Sequence, residues 1–162
     1  MNALRDLRGY AIRSALNETV GADVLIDTAV RALLEGVDSP SLPLLAGLSR
    51  REEGEAQELF RAVTTELDLA PPSPIDSQST RWRLVRWLCE AIVDGSAQPE
   101  VAGKFIWDRW DELGYPKSLQ PLVGRVSEWD DWHPSWDVER EHFQGLIVDE
   151  AKTLLSGTWP PS

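Results

Sequence analysis

The chain has 162 residues, enough for one domain with a proper core, and a hydrophobic content of 42%, which excludes wholesale disorder. Lysine and arginine number 16 against 27 aspartates and glutamates, for a formal charge of −11. Such a chain repels phosphate backbones and anionic lipid unless a strong local basic patch intervenes, so neither nucleic acid nor membrane is the expected partner.

The acidity is spread along the chain. Through Pro72 there are 7 basic and 12 acidic residues, a balance of −5, and from Ser73 onward 9 and 15, a balance of −6. No apolar run approaches the roughly 20 residues that cross a bilayer. Met1 to Tyr10 carries Arg5, Asp6 and Arg8 between leucines, with no apolar stretch behind it of signal-peptide length. The single Cys89 excludes an internal disulfide and fits a reducing compartment. The expected location is cytoplasmic.

Helical periodicity dominates the sequence. Leu4, Leu7, Ala11, Ile12 and Ala15 mark a first amphipathic helix. Ala22, Leu25, Ile26, Ala29, Val30, Leu33 and Leu34 mark a second, ended by Gly36. Ser39-Pro40 reads as a cap and first-turn proline opening a short third helix through Leu48. Ser49 and Glu52 have the spacing of a capping box for a fourth, whose stripe is Ala56, Leu59, Phe60, Val63 and Leu67. The run Ala70-Pro71-Pro72-Ser73-Pro74 cannot be helical, and residues 70–78 are expected to form a linker.

Beyond it, Leu84, Val85, Leu88, Cys89 and Ile92 mark a fifth helix. Ala102, Phe105, Ile106, Trp110 and Leu113 mark a sixth, with Pro99 at its start and Gly114 at its end. A shorter seventh spans about Ser118 to Trp129. The eighth is expected from near Ser135, with Phe143, Leu146, Ile147, Ala151 and Leu154 on its stripe. Residues 158–162, with Pro160-Pro161, read as a loose tail. The fold class is all-α: about eight helices in one compact domain, built as two four-helix halves, 1–69 and 79–157.

The halves resemble each other. Each reads as long, long, short, long. Ser41-Leu42-Pro43-Leu44-Leu45-Ala46-Gly47 matches Ser118-Leu119-Gln120-Pro121-Leu122-Val123-Gly124 at an offset of 77 residues. At the same offset Leu7, Ala11, Ile12 and Ala15 fall on Leu84, Leu88, Cys89 and Ile92, whereas the second and fourth helices align only with slippage of several residues. The spacing suggests an internal duplication.

Specific chemistry is sparse. Glu139 and His142 form one Glu-x-x-His pair, but a di-iron bundle needs two, and the other histidine, His133, has Asp130 in place of the glutamate. Cys89 lies on an apolar stripe, where a thiol acts as a small hydrophobe. Nucleophile elbows and phosphate-binding glycine loops are both missing. The sequence therefore predicts no catalytic residue, no cofactor and no metal.

Two clusters stand out. Arg81, Arg83 and Arg86 interleave with Trp82 and Trp87; this can be read as a stacking surface for nucleic acid, or as arginines resting over rings and pairing with nearby acids, and the chain's acidity favours the second. The other is Ser127 to Asp137, with three tryptophans and four carboxylates around Pro134. Indoles beside carboxylates suit a cation or a protein interface. The competing reading turns the rings inward to join the last two helices. The expected function is protein–protein interaction with a basic partner, through Glu128, Trp129, Asp130, Asp131, Trp132, Trp136 and Asp137. The alternative is small-molecule binding or catalysis by carboxylates in a cleft between the halves.

Overall fold

The computed structural model describes residues 2–71 and 78–161. The protein is all-helical: the described residues form eight α-helices and one 3-10 turn, with no strand among them. No helix among them is long and apolar enough to cross a membrane. The chain divides into two compact units, Met1–Pro71 and Pro72–Ser162. Most of the segment read as a linker, residues 72–77, lies outside the described residues.

The first unit contains α1 (Ala3–Ala15), α2 (Ala22–Leu34), α3 (Leu42–Ala46) and α4 (Glu53–Glu66). Its core is the set of positions that the three-four spacing brings onto single faces: Leu7 and Ala11 from α1, Leu25 and Ala29 from α2, Leu42 and Leu45 from α3, Phe60 and Val63 from α4. Each fully buried leucine contributes about 1.5–3 kcal/mol relative to exposure.

Three glutamates hold the helix starts of this unit. A helix leaves its first amide N–H groups without intrahelical partners. The Ala3 N–H of α1 donates to Glu35 Oε2 at 2.9 Å, and the Ala22 N–H of α2 donates to Glu53 Oε2 at 2.9 Å. The second contact supplies what Gly21, in the cap position, has no side chain to provide. Glu66, the last residue of α4, accepts from the Ser41 N–H at 2.8 Å and from both the Ser39 and Ser41 hydroxyls at 2.5 Å. These bonds hold its carboxyl below the usual carboxylate range.

Two expected starts are displaced by this chemistry. Ser39 is a buried partner of Glu66 and does not cap α3, which opens two residues later than Pro40 implies, with Pro43 in its first turn. At Ser49, half of the capping box forms: Glu52 accepts from the Ser49 N–H at 2.9 Å. The Ser49 hydroxyl takes the Arg51 N–H instead of a helical amide, so α4 starts at Glu53.

The second unit contains α5 (Gln78–Asp94), α6 (Pro99–Asp108), a 3-10 turn (Lys117–Leu119), α7 (Gln120–Asp131) and α8 (Arg140–Leu155). Val85, Leu88, Ile106, Leu119, Leu122, Val126 and Ile147 are buried. Helix α6 is shorter than its stripe: it stops at Asp108, and residues 109–114 continue as turns that still bury Leu113. Gly103 lets α6 approach its neighbours closely, since a Cβ there would meet Val126 Cγ2 at 2.5 Å and Ile147 Cγ2 at 3.6 Å. The tail read as loose is tied down at Trp159, whose ring meets Trp82 edge-to-face at 6.1 Å with Arg86 above it at 5.8 Å.

The same helix pairs pack in both units. The first helix touches the second and fourth, the second touches the third and fourth, and the third touches the fourth. Gly36 and Gly114 both take left-handed backbone, at φ 86° and 82°, and the following amide reaches back five residues, Val37 to Ala32 and Tyr115 to Trp110, each at 3.0 Å. The matched leucines, Leu42 with Leu119 and Leu45 with Leu122, are all buried.

Candidate partner-docking surface

The connection from α7 to α8 carries every residue of the candidate surface except those at the end of α7 itself. Helix α8 does not begin near Ser135 as its stripe suggests, but at Arg140. The reason is local. Pro134 breaks α7, His133 Nδ1 accepts from the Ser135 N–H at 3.0 Å, and the Trp136 N–H donates to His133 O at 2.9 Å. A closed turn therefore occupies the place where a first helical turn would form. Asp137 lies ahead of α8 and not in its first turn, whose acidic residue is Glu141.

The three tryptophans of the segment have different fates. Trp129 is half-buried beneath Arg140, whose guanidinium lies 3.6 Å from the ring centroid and whose Nε donates to Trp129 O at 3.2 Å. Trp132 is half-buried, and its indole N–H donates to Val138 O at 2.9 Å, tying the two ends of the connection together. Trp129 thus joins α7 to α8, and Trp132 closes the connection between them. Trp136 remains outside. It is 40% exposed, beside Val138 at 42%, and its ring contact is edge-to-face with Phe143 at 5.9 Å. Of the eight tryptophans, the other seven are all half-buried.

The carboxylates also divide. Glu128 is paired with Arg125 at 3.2 Å, and Arg125 reaches on to Glu150 of α8 at 3.7 Å. Glu128 is thus part of the α7–α8 joint. Asp130, Asp131 and Asp137 are exposed and form no ion pair among the described residues. The surface is an exposed indole and a valine on a fixed turn, with three unneutralised aspartates along the same stretch. The periodic pattern could not have separated Trp136 from Trp132, because the turn that does so depends on the His133 side chain and on Val138 being carried back to Trp132.

The remaining candidate chemistry is occupied within the protein. Arg81 donates to Glu112 O at 3.1 Å, and Arg86 pairs with Glu90 at 3.5 Å, so both are engaged in unit 2. Cys89 is buried, and desolvation, aided by the negative charge of Glu90, pushes its thiol up to about 12. Among the described residues no three His, Cys, Asp or Glu side chains converge on a point that would hold a metal.

In the first unit an open cleft of about 640 Å³ lies over Phe60, between Ala11 and Ala15 of α1 and Arg61 and Thr65 of α4. Its wall carboxylate, Glu18, is paired with Arg13 at 3.0 Å, and its amide, Gln57, donates to Val20 O at 2.7 Å. This wall offers no pair of carboxylates for acid–base work. In comparisons with protein-family models, curated proteins and solved structures, nothing matches the chain significantly.

Proposed function

We propose that the protein is a binding module for another protein, and that a basic partner docks on the 130–138 segment with Trp136 as anchor. The observation that carries this reading is the isolated exposure of Trp136 among eight tryptophans. An indole combines a large apolar face with a polar N–H, which suits it to burial at an interface. Tryptophan is enriched among interface residues whose loss costs about 2 kcal/mol or more. The turn bonds at His133 and the Trp132–Val138 bond hold the anchor in place before docking, which lowers the ordering cost of association. Asp130, Asp131 and Asp137 supply the field that attracts a positive partner.

The buried free thiol and the acidic surface suit a reducing, cytoplasmic setting. The shared helix pairing, the matched glycine turns and the repeated Ser-Leu-x-x-Leu-x-Gly motif support descent of both units from one four-helix ancestor.

The test uses a photo-crosslinking residue at position 136 in the native host, with the same residue at exposed Leu34 of the first unit as control. A protein crosslinked from 136 and not from 34 is then purified, and its binding is measured. Trp136→Ala is expected to speed dissociation at least tenfold with little change in melting temperature. An unchanged dissociation rate overturns the proposal.

A further inference from the structure

Four aromatic rings of the second unit are covered by cations from the chain itself. Besides Arg140 over Trp129, Arg109 lies 3.5 Å from the Phe105 centroid, Lys104 lies 4.3 Å from Trp107, and Arg86 lies 5.8 Å from Trp159. All four of these rings are half-buried, and each is covered by one of the chain's own cations. Trp136 is more exposed than any of them, yet among the described residues no cation lies over it. The basic residue nearest in sequence is Arg140, and its guanidinium is already committed to Trp129. The immediate neighbours of Trp136 are Ser135 and Asp137, and Asp137 is exposed with no ion pair among the described residues.

We propose that an arginine of the partner protein completes this ring, stacking its guanidinium on the Trp136 indole while it pairs with the Asp137 carboxylate. The inference rests on the docking reading above and names its chemistry. An indole face attracts a cation through its quadrupole, and a neighbouring carboxylate adds Coulomb attraction of the same sense. Arginine is selected over lysine for two reasons. Its planar, weakly hydrated guanidinium stacks on a ring and still presents a fork to a carboxylate. The two closest ring contacts within the chain itself, at 3.5 and 3.6 Å, are both made by guanidinium groups.

The test is a titration of the intact protein, labelled with nitrogen-15, with a blocked Gly-Gly-Arg-Gly-Gly peptide and with its citrulline and lysine counterparts. The indole N–H resonances are followed, and that of Trp136 is identified by its loss in Trp136→Phe. The Trp136 resonance is expected to shift more than the other indoles, and to saturate about two- to fivefold earlier with arginine than with neutral citrulline. Asp137→Asn should weaken the arginine titration and leave the citrulline one unchanged. Equal titration by arginine and citrulline overturns the proposal, as does a Trp136 resonance that moves no more than the others. A lysine peptide as tight as the arginine one overturns the choice of arginine. The crosslinking experiment fails or succeeds independently. A partner captured at position 136 together with equal arginine and citrulline titrations leaves docking standing and removes the arginine; the reverse result leaves a cation site without a protein partner.

Discussion

At the scale of single residues, environment separates side chains that look alike in sequence. Cys89 and the exposed aspartates are all titratable, but Cys89 is buried and desolvated. At pH 8 its thiolate fraction should be roughly a thousandfold below that of an unfolded cysteine with the ordinary value near 8.5. A thiol reagent should therefore modify the native protein at least that much more slowly than the urea-unfolded chain, with a rate that follows opening of the fold. Gly103 is the steric counterpart. Replacing it with alanine forces a methyl against Val126 across a fully packed joint, and should destabilise the protein by about 1–3 kcal/mol in urea unfolding. Gly124 has open space at its Cβ position, so Gly124→Ala should cost nothing and gain a little helix propensity. Nothing in the residue pattern distinguishes these two glycines, since the difference arises from what another helix brings alongside.

At the scale of elements, the first unit is organised by carboxylates that cap helices other than their own. Glu66 stands at the C-terminal end of α4, where its charge opposes that helix's dipole, but three donors at the entry to α3 offset this. Its folded pKa is depressed, so the stability it confers is fully present above the ordinary carboxylate value near 4.3 and is lost as pH falls through the lower folded value. Chemical unfolding of wild type and Glu66→Gln should accordingly differ at pH 7, and the difference should close as pH drops below about 4. Curves that remain parallel to pH 3 would assign Glu66 no charge-dependent role. Ser39→Ala should also lower stability at neutral pH, by about 1 kcal/mol for the loss of a buried hydroxyl bond. The helices themselves were legible from their spacing, and so was the all-α class. The Pro99 start of α6 was legible too, but three other starts were not: Ser39, Ser49 and Ser135 each have the composition of a cap, and each has its hydroxyl or its amide taken by a neighbour that periodicity cannot see.

At the scale of the whole molecule, the charge of −11 is not one uniform field. Glu35, Glu53 and Glu66 are engaged by backbone amides, and Glu18, Glu90, Glu128 and Glu150 by arginines. What remains free to act at a distance includes Asp130, Asp131 and Asp137, next to the exposed indole. Reversing Asp130 and Asp131 to lysine should slow association with the crosslinked partner about tenfold or more at low salt. The dissociation rate and melting temperature should stay near those of wild type. The difference in association should shrink as ionic strength rises past about 0.15 M, where the Debye length is about 8 Å. An association rate that ignores both the reversal and the salt would show that these charges do not steer.

Helical spacing and turn-forming glycines were determined by the sequence alone, because backbone sterics and the three-four recurrence of apolar residues act within a few positions of each other. The same local logic identified Glu128 to Asp137 as the unusual segment, since density of indole and carboxylate is a property of sequence. Only the tertiary structure decided which of its members remain available. Arg140 of α8 covers Trp129 and Val138 of the connection takes the Trp132 N–H, whereas the pairing of Glu128 with Arg125 is a local contact within α7. Trp136 sits on the His133 turn with only an edge of its ring against Phe143 of α8, and its exposure is set by the distance to other elements, which no local pattern encodes.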